Sequence, residues 1–161
     1  MKRLLLLALL LPLVSIAAFG QTCTGSDTLL QDHVYHPERL TEAKGCVAVK
    51  GKVIAKRPEP DGDIHYLLKL DPGQGSGLIN TTNTKRQQGA LVFEPVCVSP
   101  IKKKKNGQPN KPALAACKNF RQKLTLPNKG DRVEVTGIHL LDGEHGWLEI
   151  HPVTKITVLK P

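Results

Sequence analysis

Two short segments of the chain bring acids and imidazoles close together: Asp61-Gly62-Asp63-Ile64-His65-Tyr66 and Asp142-Gly143-Glu144-His145-Gly146-Trp147-Leu148-Glu149-Ile150-His151-Pro152. Side chains of these types hold divalent cations. His65, His145, Glu149 and His151 suit Zn²⁺, while Asp61 and Asp63 supply oxygens of the kind Ca²⁺ takes. No established ligand signature is matched, however, and Asp-Gly-Asp is also good turn chemistry. A second chemistry is open to the same segments. Trp147 could stack on a base or sugar beside His65, Glu149 and His151, with lysines neutralising the phosphates of a polyanion. Against it, Asp61, Asp63, Asp142, Glu144 and Glu149 put negative charge where phosphates would lie. A third reading is structural or protein-binding: the acids build turns, the histidines cap strands and Trp147 covers one end of the fold.

Catalysis has less to stand on. Ser26, Ser76 and Ser99 lie in loops without a Gly-x-Ser-x-Gly elbow, and oxidised cysteines are not nucleophiles. No acid–base pair stands out. The expectation is therefore a binding module and not an enzyme, with no cofactor beyond a Zn²⁺ or Ca²⁺ ion.

Positioning these side chains falls to strands. Val47, Val49 and Val53 alternate with small or charged residues, the period of a half-buried strand, and Gly51 inside that run marks a bulge or bend. Asp63 to Asp71 reads as a second strand. Ile64, Tyr66, Leu68 and Leu70 share one face of it, and Asp63, His65, Leu67 and Lys69 the other. Ala90 to Val98 is the third, Arg132 to Leu141 the fourth, and Trp147 to about Leu159 the fifth, broken at Pro152. On that fifth strand Trp147, Glu149 and His151 lie opposite Leu148 and Ile150. If the leucine and isoleucine fill the interior, the other three lie outside with His65. A short helix opens at Pro37 and ends near Gly45, and a second runs from Pro112 to Cys117. Residues 72–89 read as a long loop in which Asn80-Thr81-Thr82 fits a glycosylation acceptor.

Five strands with a helix between the third and fourth follow the order of an OB-fold, a Greek-key barrel and so an all-β fold. A small β-sandwich and an SH3-like barrel are the alternatives. In an OB-fold the loops joining strands one to two and four to five flank the ligand face. Pro58–Asp63 and Asp142–His145 are therefore expected on one side of the molecule.

Cys46-Val47-Ala48-Val49-Lys50-Gly51-Lys52-Val53, Glu59 to His65, Leu70-Asp71 and Gly146 to Val153 resemble a group of uncharacterised exported bacterial proteins, and Tyr35 to Leu40 fits the same pattern. The resemblance implies an OB-like fold and an exported location. It brings no catalytic residue with it.

Export is also what the N-terminus predicts. Lys2 and Arg3 precede an apolar run from Leu4 to Leu11, and Ala18-Phe19-Gly20 offers small residues where signal peptidase reads them. Residues 1–20 are thus expected to leave by cleavage near Gly20/Gln21, placing residues 21–45 as an extension and 46–161 as the barrel, periplasmic or secreted. The mature chain holds no second run of membrane length. Four cysteines allow three pairings. Cys23–Cys46 and Cys97–Cys117 are favoured because each closes a local loop, and without a Cys-x-x-Cys pair a four-thiolate metal site is the weaker alternative. The full chain carries a net charge of +9, of which Lys2 and Arg3 leave with the leader. Lys102, Lys103, Lys104 and Lys105 form a basic run that could meet a polyanion or simply keep a loop solvated.

Overall fold

The computed structural model describes Cys23, residues 30–74 and residues 76–160. The leader and its cleavage site lie outside the described residues. Five strands close on themselves: β1 (Leu40–Pro58), β2 (Ile64–Leu70), β3 (Leu91–Phe93), β4 (Arg132–Asp142) and β5 (Leu148–Val158), in the ring order β1-β2-β3-β5-β4. β1 is antiparallel to both β2 and β4, whereas β3 meets β5 in parallel. The fold is mainly β. Among the described residues no helix is long and apolar enough to cross a membrane.

Alternation builds the interior. Ile64, Tyr66 and Leu68 of β2, Leu91 and Phe93 of β3, Val133 and Val135 of β4, and Ile150, Val153 and Ile156 of β5 all point into one apolar core. Tyr66 and Phe93 stack across the β2–β3 pair with ring centroids 4.6 Å apart. Each such side chain contributes roughly 1.5–3 kcal/mol by leaving water. At Gly51 and Gly137 the neighbouring strand leaves no room for a side chain. A Cβ on either would sit 2.3 Å from the Lys69 carbonyl oxygen or 2.4 Å from that of Pro152.

Four expectations need correction. Only a 3₁₀ turn, Pro37–Arg39, forms where a helix was expected, and β1 begins at Leu40 because that stretch pairs with β4 from Leu40↔Asp142 onward. The supposed loop before β3 contains a helix, α1 (Thr81–Arg86), whose reciprocal cap joins the Asn80 side chain to the Asn83 backbone and the reverse. β3 stops after three residues, since Pro95 has no N–H for the ladder. β5 is unbroken at Pro152. Its partners step from His139↔Ile150 to Gly137↔Val153, so a bulge absorbs the extra residue. Ile150 and Val153 both stay inward, and His151 and Pro152 occupy the bulge.

The expected helix after the lysine run is present as α2 (Lys111–Ala116), with Pro112 in its first turn. Both favoured disulfides form, Cys23–Cys46 and Cys97–Cys117. The second ties the segment after β3 to the end of α2. There Val34, Val96 and Cys97 form a small apolar cluster outside the ring, with Leu30, Leu40 and Phe120 against it.

Candidate metal centre

The face of β2 and β5 that turns away from the core is polar, yet it is buried. His151 and Glu149 are 1 % exposed, Asp63 2 %, His65 6 % and Glu94 8 %. Each is placed by a local device. Gly62, at φ 106°, makes the tight turn that presents Asp61 and Asp63, and Asp61 Oδ1 accepts the Asp63 N–H at 3.1 Å. Glu94 follows β3 directly and is bracketed by β5: its N–H donates to the Ile150 carbonyl and its own carbonyl accepts from Val153. The β5 bulge carries His151. Asn83, fully buried in α1, pairs its amide with both the N–H and the C=O of Leu148, at 2.9 and 2.8 Å, and so extends the ladder ahead of the start of β3.

Around His151 the acids converge. Its Nδ1 lies 3.1 Å from Glu149 Oε1 and 3.5 Å from Glu94 Oε2, and its Nε2 faces Asp63 Oδ2 at 3.6 Å. The last pair is beyond hydrogen-bond reach, and both atoms are buried without a hydrogen-bond partner. Asp63 Oδ1, by contrast, accepts the Cys97 N–H at 2.7 Å. His65 Nδ1 lies 2.7 Å from Glu94 Oε1 and its Nε2 3.3 Å from Gln87 Oε1, two contacts that favour the protonated ring.

Charge is unbalanced here. Asp61, Asp63, Glu94 and Glu149 surround two imidazoles, so protonating both rings still leaves an excess of negative charge. Burial first, and then repulsion from Asp63, pushes the Asp61 carboxyl up to about 6. Burial and the Glu149 charge likewise raise Glu94. For His151 burial disfavours the charged ring, but Asp63, Glu149 and Glu94 outweigh it and hold its pKa well above the ordinary value. His65 is raised in the same way, Glu94 overcoming its burial. Protons and a dication are alternative ways to neutralise such a cluster.

Ligand atoms of Asp63, Glu94 and His151 lie within 4.8 Å of one another. A single cation with bonds of about 2.0–2.6 Å closes that spread through small rotations. Asp63 also lies near Cys97 and Cys117, but the disulfide has consumed both thiols. Compared with known protein families and with curated proteins, the chain matches none.

Of the metal ligands expected from the sequence, His151 and Asp63 belong to this set of possible donors and Asp61 does not. Glu149 and His65 stand one shell behind, holding His151 and Glu94. His145 is elsewhere: its Nδ1 donates to Asp142 at 2.8 Å and its ring stacks on Trp147 at 4.3 Å. Trp147 is half-buried, donates from Nε1 to Glu149 Oε2 at 2.8 Å, and meets His65 edge-on. One face of the indole is therefore covered by His145. Asp61, Asp142 and His145 line one pocket, so the two acidic loops do converge. Lys102 to Lys105 are exposed and hold no place in the donor set. Glu94 is the donor that sequence reasoning missed. The signal for it was an acid immediately after an apolar run and immediately before a proline.

Proposed function

We propose that the protein is an exported, disulfide-stapled OB-like binding module that holds a divalent cation through Asp63, Glu94 and His151. The ring order, the parallel β3–β5 closure and the helix between β3 and β4 support the OB-like reading. Two disulfides support an oxidising compartment, in keeping with the leader-like N-terminus. One observation carries the metal reading: Asp63 Oδ2 and His151 Nε2 face each other at 3.6 Å, buried and without a hydrogen-bond partner, within a cluster that has more carboxylates than imidazoles. Buried polar groups left unmatched cost about 1–3 kcal/mol each, so a fold keeps them where a ligand completes them.

Zn²⁺ is the first choice, because one imidazole with two carboxylates suits a borderline ion that takes four ligands. Ca²⁺ asks for about six to eight oxygens. The test is elemental analysis of protein purified without an affinity tag, followed by calorimetric titration of Zn²⁺ into chelator-treated protein. One ion per chain is expected, with Asp63→Asn and His151→Ala each weakening binding at least about tenfold. A metal-free protein whose melting temperature ignores Zn²⁺ and Ca²⁺ would remove the reading.

A further inference from the structure

We infer that the pocket above this cluster seats a phosphate group, which binds together with the cation and not without it; the inference rests on the metal reading of the same site. The pocket encloses about 270 Å³, and its walls include Arg57, Glu59, Asp61, His65, Glu94 and Trp147. Of the donor triad Glu94 alone lines this pocket, while His151 lines a separate one, so an ion held by the triad would meet the pocket on its Glu94 side. Three protein donors leave at least one position on Zn²⁺ open to an outside oxygen.

Charge decides what fills that position. Without the cation, Glu59, Asp61, Glu94 and Asp142 repel an anion from the walls. A bound dication becomes the largest local charge and reverses the preference. Two further features point to phosphate. Arg57 is exposed at the rim, opposite His65 in the β1–β2 register, and forms no ion pair among the described residues. Its forked donors match a phosphate oxygen pair. Arg39, on the same wall, is already held by Asp142 and Glu144.

The lysine run is the second feature. The Lys102 N–H donates to the Pro60 carbonyl at 2.9 Å, and the Ser99 N–H donates to that of Gly62 at 2.7 Å. The run is thus fastened at Lys102 to the turn that supplies Asp61, and its exposed charges raise the local concentration of anions around that turn. The space suits a phosphate and its immediate substituent. That phosphate has two sources: a small free phosphate, or one on a nucleic-acid strand whose remainder lies along the lysines.

Trp147, the single tryptophan, lines the pocket and reports on it. Chelator-treated protein, and protein loaded with sub-stoichiometric Zn²⁺, are titrated with inorganic phosphate and with a 5′-phosphorylated oligothymidylate, following fluorescence and heat. A saturable response is expected in the zinc form alone. Arg57→Gln should weaken it about tenfold while zinc affinity and melting temperature stay unchanged. Replacing Lys102, Lys103, Lys104 and Lys105 together by Gln should weaken the oligonucleotide and leave inorganic phosphate untouched if a strand is the source. Unchanged binding of both probes by that variant assigns the site to a small phosphate. Zinc-loaded protein that ignores both probes overturns the inference and leaves the metal reading standing. Equal binding by the chelator-treated protein also overturns it. Absence of zinc binding removes both.

Discussion

The two acidic loops are built from the same residue types and end in opposite conditions. In the Asp142–His145 loop, Asp142 is buried but complete. Its Oδ1 accepts the N–H groups of Glu144 and His145, and its Oδ2 accepts from His145 Nδ1; Arg39 Nε, 3.4 Å away, forms an ion pair with it but no hydrogen bond. Burial alone would raise this carboxyl, yet the His145 hydrogen bonds and the Arg39 charge hold it below its ordinary value. Around Asp63 the accounting fails: facing atoms lack hydrogen-bond partners, and burial, with neighbouring acids, raises the carboxyls of Asp61 and Glu94. A satisfied acid is architecture. An unsatisfied one, kept buried, is where a ligand belongs, because the interior gives it no other compensation.

Removing each acid should therefore move stability in opposite directions. Asp142→Ala strips Arg39 and His145 of their shared acceptor and unties the turn. A loss of about 3 kcal/mol is expected in urea denaturation of the metal-free protein, with zinc affinity per folded molecule unchanged. An Asp142→Ala protein that is as stable as the parent would break the contrast between the loops.

The next effect tests how the cluster is held. Asn83→Ala deletes the amide that pairs with both backbone groups of Leu148, leaving a part-buried N–H and C=O unmatched. About 1–3 kcal/mol should be lost. Because Glu149 and His151 follow on the same strand, zinc affinity should fall as well, whereas Asp142→Ala leaves it alone. Calorimetric titration of both variants separates the two.

How much of this could be read from the residues themselves differs by element. Alternating apolar residues in β2 and β4, and prolines and glycines at their ends, made those strands and the ring readable. The same alternation put Trp147, Glu149 and His151 together with His65. The strand edges were less legible, because β1 reaches back to Leu40 through pairing with β4 and through no pattern of its own. Helix α1 was hidden in a Thr- and Asn-rich stretch of low helix propensity. It exists because Asn80 and Asn83 cap it and because Asn83 is anchored to β3 and β5. The donor set depended on two features that no spacing encodes. One is the β5 bulge at His151–Pro152, and the other is the chain crossing that lays Glu94 against Ile150 and Val153.

The third variant should have the unusual sign. Glu94→Gln keeps an oxygen to accept from His65 but removes one of the charges crowded around His151. In chelator the variant should be more stable than the parent by about 1 kcal/mol, since buried charge is relieved without losing the hydrogen bond. Added Zn²⁺ should then reverse the order, because only the parent gains binding energy from the ion. A Glu94→Gln protein that is destabilised in chelator and still responds to zinc would place the cation elsewhere.

The smallest effect concerns an imidazole outside both loops. His139 of β4 is fully buried; its Nε2–H donates to the Leu78 carbonyl at 3.1 Å and its Nδ1 has no hydrogen-bond partner. An orphaned nitrogen is thus shared with His151, but here no carboxylate lies against the ring. Burial lowers its pKa, and the charge of Lys44 adds to that, outweighing the Leu78 bond. The sign follows from linkage. Below about pH 6.5 the unfolded chain binds a proton at His139 that the folded protein still refuses, so stability falls as the pH drops through that range. His139→Gln should flatten this slope, measured as the urea midpoint against pH in chelator. If the slope is unchanged, the acid sensitivity belongs to the cluster around His151, and the distinction between a lone buried imidazole and one ringed by carboxylates must be redrawn.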